Sequence, residues 1–329
     1  MDELYTKHYS VLYEECLNFF KQANSESETK YFADMTFGGG GHTFGIVKEI
    51  SNAKVFSVDQ DPDAIKNGND LIAKYDLEKS VHLLKMNFSS FPQWVKLNRP
   101  ELGFDGILID LGVSSHHFDK FERGFSFRED AELDMRMDYE DGSLETAADI
   151  LNNYTEEDIA NIIFKYGEER FSRRIAKAIV EFRRDKQLRR TKQLEDIVFH
   201  CYPKNLRHKK IHPATKTFQA LRIFVNQELE VLEKTLNELF ELLNTNGVLS
   251  VISFHSLEDR IVKHKFKEIF QTDKNTAKIL TKKPIYPTER EIRENARSRS
   301  AKLRVIQKVD QSTQGGVRGT KKKKAESIL

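Results

Sequence analysis

Residues Tyr31-Phe32-Ala33-Asp34-Met35-Thr36-Phe37-Gly38-Gly39-Gly40-Gly41-His42 form an apolar run that ends on a carboxylate and passes into four consecutive glycines. Glycine lacks a Cβ, so such a turn reaches φ > 0 and brings main chain against a ligand, while the following helix aims its first N–H groups at the same point. A second run, Lys54-Val55-Phe56-Ser57-Val58-Asp59, also ends on an acid. In a dinucleotide-type unit that position holds ribose hydroxyls. The pair of strand ends predicts a nucleotide-type cofactor site rather than a flexible glycine linker. Contiguous glycines differ from the G-x-G-x-x-G of pyrophosphate binders. An acid at the mouth, Asp34, would repel a pyrophosphate and suit the ammonium of an amino-acid cofactor. S-adenosylmethionine is therefore favoured over a nicotinamide.

The same rhythm continues along the chain. Pro62 to Tyr75 reads as a helix behind Asp59-Gln60-Asp61-Pro62, Val81 to Met86 as a third strand and Asp105 to Asp110 as a fourth. Strands alternating with helices predict an α/β, Rossmann-like doubly wound sheet. Between His116 and about Ile211 no strand pattern appears. A polar loop is followed by helices, one of them carrying Phe171, Ile175, Ile179 and Phe182 on one face and arginines on the others. The α/β pattern resumes at His212, with one long helix marked by Phe218, Leu221, Val225, Leu229, Leu232, Leu236, Leu239 and Leu243. Asn246-Gly247 then turns the chain into a fifth strand, Val248 to Phe254, and two further strands are expected at 277–280 and 302–307. The expected organisation is a discontinuous domain, 1–115 and 212–329, an inserted helical domain, 116–211, and a disordered tail from about 311.

Charge separates these parts. Residues 1–110 carry 11 Lys/Arg against 17 Asp/Glu, whereas residues 165–216 carry 16 against 6. A concentrated basic segment attracts polyanions, nucleic acid above all, although a solvated helix face gives the same pattern. Composition is that of a globular chain, 39% hydrophobic and 32% charged. No apolar run approaches a membrane span and Met1-Asp2-Glu3-Leu4 is no secretory leader, so no membrane association and a cytoplasmic location are expected. Cys16 and Cys201, the two cysteines, form no C-x-x-C pair and suggest neither a disulfide framework nor a metal site.

Several segments together resemble the bacterial 16S ribosomal RNA cytosine-N4 methyltransferase family, also called MraW. They are Phe37 to His42, Asp110-Leu111-Gly112-Val113-Ser114-Ser115, Glu122-Arg123-Gly124-Phe125-Ser126-Phe127, Leu133 to Asp138, Tyr166 to Phe171, His212 to Arg222 and Ser253 to Arg260. The resemblance spans almost the whole chain. It implies a class I S-adenosylmethionine-dependent methyltransferase domain split by a helical RNA-recognition insertion, acting on 16S ribosomal RNA within the small ribosomal subunit. It further implies cofactor contacts at Gly40, Gly41, His42, Asp59, Phe88, Asp110 and His117. Gly39 stands where relatives often carry Arg, and His116-His117 where a Pro-Gln pair is common.

Physical roles follow for these positions. Asp59 can accept from both ribose hydroxyls, a charge-assisted contact worth about 1.5–3 kcal/mol. Phe88 offers an adenine-stacking face, with a place in the core as its alternative. A cytosine N4 amine is a poor nucleophile until acceptors draw its protons and hold it in line with a methyl donor. Asp110, at a strand end, is the candidate acceptor, with cofactor contact as its competing role. His255 is a candidate for the base pocket, next to a capping box expected between Ser256 and Asp259. Asp134 and Arg136 could hydrogen-bond an unstacked base or pair with each other. Arg173, Arg174, Arg183, Arg184, Lys209 and Lys210 are candidates for RNA phosphates. Two rivals remain at this level, a noncatalytic ribosome-assembly factor and a nicotinamide oxidoreductase, and a homodimer is open.

Overall fold

The structure is a computed structural model that describes residues 10–23, 27–112 and 121–310. His117 and the expected tail lie outside the described residues. Helix α1 (Tyr13–Gln22) precedes β1 (Lys30–Asp34), α2 (Gly41–Glu49), β2 (Ala53–Asp59), α3 (Pro62–Lys74), β3 (Val81–Lys85), α4 (Phe91–Asn98) and β4 (Phe104–Asp110). A helical lobe follows, with α5 (Ala147–Asn153), α6 (Glu156–Gly167), α7 (Ser172–Asp185), α8 (Thr191–Cys201) and α9 (Thr215–Val225). The chain then returns through α10 (Glu228–Glu241), β5 (Leu243–Ser253), α11 (Ser256–Thr272), β6 (Ala277–Ile279), α12 (Glu289–Glu294) and β7 (Lys302–Lys308).

The seven strands form one sheet in the order β3-β2-β1-β4-β5-β7-β6. The first five are parallel, and β7 runs antiparallel to both β5 and β6. Alternation along each strand assigns side chains to the two faces. Phe32, Val55, Leu108 and Ile252 pack with Leu17 and Phe20 of α1 and Ile46 of α2. Ala33, Val58, Ile107, Ile109 and Val251 pack with Phe91 of α4, Leu236 of α10 and Phe266 of α11. Strand order reverses between β1 and β4, and the crevice outside their carboxyl ends is where open α/β sheets bind ligands.

Two elements differ from the sequence expectation. The single helix expected from Thr215 to Leu243 is two, because Asn226 ends α9 and Gln227 takes a left-handed conformation, φ 51°. The Asn226 side chain gives the reason: its Oδ1 accepts from Met137 N at 2.7 Å and its Nδ2 donates to Met135 O at 2.8 Å. The break therefore pins the loop ahead of α5. Asn246-Gly247, expected as a turn before β5, forms a bulge inside it, since Phe104 pairs with Leu243 and Gly106 with Val248.

The lobe has its own apolar cluster, which draws on Phe125, Leu133, Ile163, Ile175, Leu194, Phe218 and Leu221 and runs on to Leu229, past residue 211. Within it α6 and α9 approach closely, and a Cβ built on Gly167 would lie 2.5 Å from the Lys216 carbonyl oxygen. Overpacking of that kind costs about 1–3 kcal/mol. Gly167→Ala is expected to lower the urea midpoint by a corresponding amount, and an unchanged midpoint would mean that the two helices have room to separate.

Candidate active site

The glycine turn is held from both neighbouring strands. Gly38 and Gly40 take φ 53° and 79°, and Gly40 is the N-cap of α2. A Cβ on Gly40 would lie 2.4 Å from the Phe44 ring and 2.7 Å from that of Phe37, whereas one on Gly39 would meet nothing within 4 Å. The turn thus requires glycine at position 40 and leaves position 39 open. Asp59, at the end of β2, accepts from Gly38 N at 2.8 Å on one oxygen and from Asp61 N at 2.9 Å on the other.

Asp34 does not take the role expected of it. It is buried, and its carboxylate accepts from Thr43 Oγ1 at 2.7 Å and Thr36 N at 3.2 Å, while Thr43 also contacts Ser57 at 2.7 Å. Asp34 is a brace under the turn rather than a seat for an ammonium group. Burial is the main cause that pushes its carboxyl up to about 6.

Among the described residues, one side-chain atom in the first turn of α2 and one at the end of β4 are buried without a hydrogen-bond partner. The His42 Nε2 and Asp110 Oδ1 atoms are buried and make no hydrogen bond, and His42 Nε2 lies 3.8 Å from the other Asp110 oxygen. The His42 ring is 7% exposed, bonds the Val11 carbonyl and is lowered to about 4 by burial, so at neutral pH its Nε2 is an acceptor. Asp110 is held in place by its amide, which donates to Thr36 Oγ1 at 2.7 Å. Burial and then the charges of Asp34, Glu258 and Glu291 raise its carboxyl well above the usual range. Buried groups of this kind ordinarily have partners, and orphaned acceptors facing a crevice fit a cationic or N–H-bearing ligand.

The remaining candidates separate into groups. Phe88 begins a short 3₁₀ turn capped by Asn87 and is half-buried against the sheet core. His255, rather than Ser256, caps α11, with Glu258 completing the capping box. Its Nε2 lies 3.0 Å from Glu258 Oε1, while Glu258 Oε2 accepts from Phe254 N at 2.7 Å. Burial would raise the Glu258 carboxyl, but His255, Arg222 and the Phe254 amide more than offset that and hold it low. The expected partner of the cap, Asp259, instead receives Arg304 at 2.6 Å. Ser256 Oγ donates to Glu168 Oε2 at 2.7 Å and so joins α11 to the lobe.

Asp134 and Arg136 pair with each other in a bidentate contact, 2.7 and 2.8 Å, which shapes their own loop. Arg173, Arg174, Arg184, Lys209 and Lys210 are exposed on the lobe. Arg183 differs, since it donates to the Leu151 carbonyl at 2.7 Å. Arg123, within the Glu122 to Phe127 segment, donates to both Asp61 oxygens, at 3.2 and 2.7 Å, and to the Met137 carbonyl at 3.1 Å, a role that sequence did not indicate. Its neighbours Glu122 and Gly124 give no local signal of that role, because the partner Asp61 lies 62 residues away. Among the described residues no group of three or more His, Cys, Asp or Glu could hold a metal ion, and no helix is long and apolar enough to cross a membrane.

This strand order, with an antiparallel seventh strand, a glycine turn after β1 and acids closing β2 and β4, defines a class I methyltransferase. The MraW methylase family model matches residues 5–309. A ribosomal RNA small subunit methyltransferase H from Sulfurihydrogenibium sp. (strain YO3AOP1) is 48% identical over 92% of this chain and 99% of its own length. The enzyme of that name from Nostoc punctiforme is 45% identical over 94% and 96%. A solved rRNA methylase from Streptococcus thermophilus aligns over 92% of this chain and 98% of its own at 8% identity, with a TM-score of 0.41. The chain belongs to the MraW methylase family.

The two shifted groups under the turn have opposite effects on stability. Between pH 3.8 and about 6 folded Asp34 keeps a proton that the unfolded chain has shed, so its contribution falls as pH rises. Between about 4 and 6.5 unfolded His42 holds a proton that the folded ring lacks, so its contribution grows as pH rises. From pH 4 to 6, Asp34→Asn is expected to gain on the parent chain and His42→Gln to lose, each by about 1–3 kcal/mol. Denaturant unfolding across that range checks this, and parallel slopes for the two variants would contradict it.

Proposed function

We propose that this methyltransferase transfers the methyl group of S-adenosylmethionine to the exocyclic N4 amine of a cytidine in 16S ribosomal RNA of the small ribosomal subunit. The observation that carries the cofactor reading is the pair of buried, unpartnered acceptors, His42 Nε2 and Asp110 Oδ1, at the switch point beside the glycine turn. They suit the ammonium of an amino-acid cofactor, and Gly40, Gly41 and His42 begin the helix whose first N–H groups suit its carboxylate. Asp59 is the residue for the ribose, and Phe88 offers the exposed part of its ring to the adenine. His117 is proposed from sequence alone. When bound, the cofactor supplies a methyl group on a sulfonium centre, open to in-line attack by the amine.

As the role that competes with contact to the cofactor's ammonium, Asp110 is proposed to draw a proton of the amine. Its carboxyl, raised by burial and neighbouring acids, binds a proton more readily than an exposed aspartate does. The exposed Arg173, Arg174, Arg184, Lys209 and Lys210 supply positive charge for RNA phosphates along the lobe. His255, its ring engaged with Glu258, holds the turn after β5 at the edge of the base pocket. The free, buried Cys16 and Cys201 fit a reducing, cytoplasmic setting.

Labelled cofactor incubated with unmodified small subunits, followed by digestion of the RNA to nucleosides and mass analysis, tests the reaction. Label is expected in N4-methylcytidine. Asp110→Asn, which keeps shape and removes charge, is expected to slow transfer by about 10²-fold or more, the range of a general-base contribution. Label in another nucleoside, or a variant within twofold of the parent, would overturn the corresponding assignment.

A further inference from the structure

We infer that Arg123 is a positioning residue that couples occupancy of the cofactor site to engagement of RNA by the inserted lobe, an inference that rests on the cofactor reading above. The geometry is an unbroken series of hydrogen bonds. Asn226, at the break between α9 and α10, accepts from Met137 N at 2.7 Å. The Met137 carbonyl accepts from Arg123 Nη1 at 3.1 Å, and Arg123 grips both oxygens of Asp61 at 3.2 and 2.7 Å. The Asp61 amide donates to Asp59 at 2.9 Å, and Asp59 accepts from Gly38 of the glycine turn at 2.8 Å. One end of the series lies in the RNA-binding lobe and the other in the proposed ribose and methionine pockets.

The Arg123–Asp61 link is built to be specific. Its side chains are 12% and 1% exposed, and Asp61 is also the N-cap of α3, accepting from Asp63 N at 3.0 Å. The guanidinium also lies over Phe125 and Tyr139, 5.5 and 5.2 Å from the ring centroids. A buried bidentate pair has one favourable geometry, so displacement of the loop carrying Arg123 and Met137 must be felt at Asp61. Gln60, between the two acids, contacts the same loop through Met137 Sδ at 3.0 Å and reaches Asn87, next to Phe88, at 2.7 Å. Lys85, paired with Asp59 in the sheet, reaches Asp138 of the same loop at 3.5 Å from a more exposed position, whereas Ser256 to Glu168 joins the lobe by α11. Among the described residues Arg123 is thus the buried guanidinium by which the lobe grips Asp61, two residues past the end of β2.

Coupling between two ligands is reciprocal, so it is read from either side. The dissociation constant of S-adenosylhomocysteine is measured for the full chain alone and with saturating unmodified small subunits. Subunit affinity is then measured with and without that ligand. The parent chain is expected to show at least fivefold tightening by each ligand of the other, with equal factors. Arg123→Lys keeps the charge and loses the bidentate grip; it is expected to bring both factors to within twofold of one while each ligand alone still binds. If Arg123→Lys does not fold, as judged by circular dichroism, the double variant Arg123→Gln with Asp61→Asn removes both charges together and is measured in its place. A parent chain that binds both ligands with no coupling, or a folded variant with the parent's coupling, overturns the inference. A parent chain that does not bind S-adenosylhomocysteine under either condition overturns the cofactor reading itself.

Discussion

The Asp59 carboxylate, accepting from Gly38 on one oxygen and from Asp61 on the other, fastens the glycine turn after β1 to the segment that leaves β2. The rest of the pocket depends on that fastening. Gly40 can cap α2 at φ 79° only because the turn is held in a conformation closed to other residues, and α2 in turn places His42 beside Asp110. Asp34 performs the matching task from below through Thr36 and Thr43, and Thr36 passes the restraint to the Asp110 amide. Three acids at the ends of three parallel strands are therefore positioned mainly by main-chain and hydroxyl donors rather than by cations.

The lobe solves a different problem. Its apolar cluster also takes in Leu257 and Ile261 of α11, it presents arginines and lysines outward, and its loop meets the sheet domain through Arg123, Gln60 and Lys85. In the proposed reaction, the basic surface of the lobe would hold RNA at a distance from the reacting atoms while the reacting base reaches the strand ends. Unstacking that base costs a few kcal/mol, which contacts elsewhere on the RNA must offset.

Much of this architecture was legible from residues alone. Strands whose apolar runs end on Asp34, Asp59 and Asp110 are long, punctuated by glycine or proline and followed by helical periodicity, so the sheet and its helical interruption follow from pattern. What pattern missed was decided by single long-range contacts. Leucine spacing from Leu221 to Leu243 is continuous, and no local rule announces that Asn226 leaves the helix to bind Met135 and Met137. Asn246-Gly247 reads equally as a turn or a bulge until Leu243 finds Phe104 across the sheet. At the site, Asp34 looked like the ammonium acceptor because it stands at the mouth of the loop in sequence. Burial, the Thr43 hydroxyl and the Thr36 amide show that it lies beneath it, braced against the strand end that carries Asp110. The role of Arg123 was invisible for the same reason, since its partner lies 62 residues away.

The central physical claim is that the crevice between β1 and β4 holds an amino-acid-bearing sulfonium cofactor through His42 and Asp110. Calorimetric titration of the purified chain with S-adenosylmethionine, set beside a His42→Ala variant, tests it most directly. One site per chain is expected, with affinity weakened by about tenfold or more in the variant, the scale of one lost buried hydrogen bond to a charged group. Absence of binding by the parent chain, or equal affinity in the variant, would contradict it.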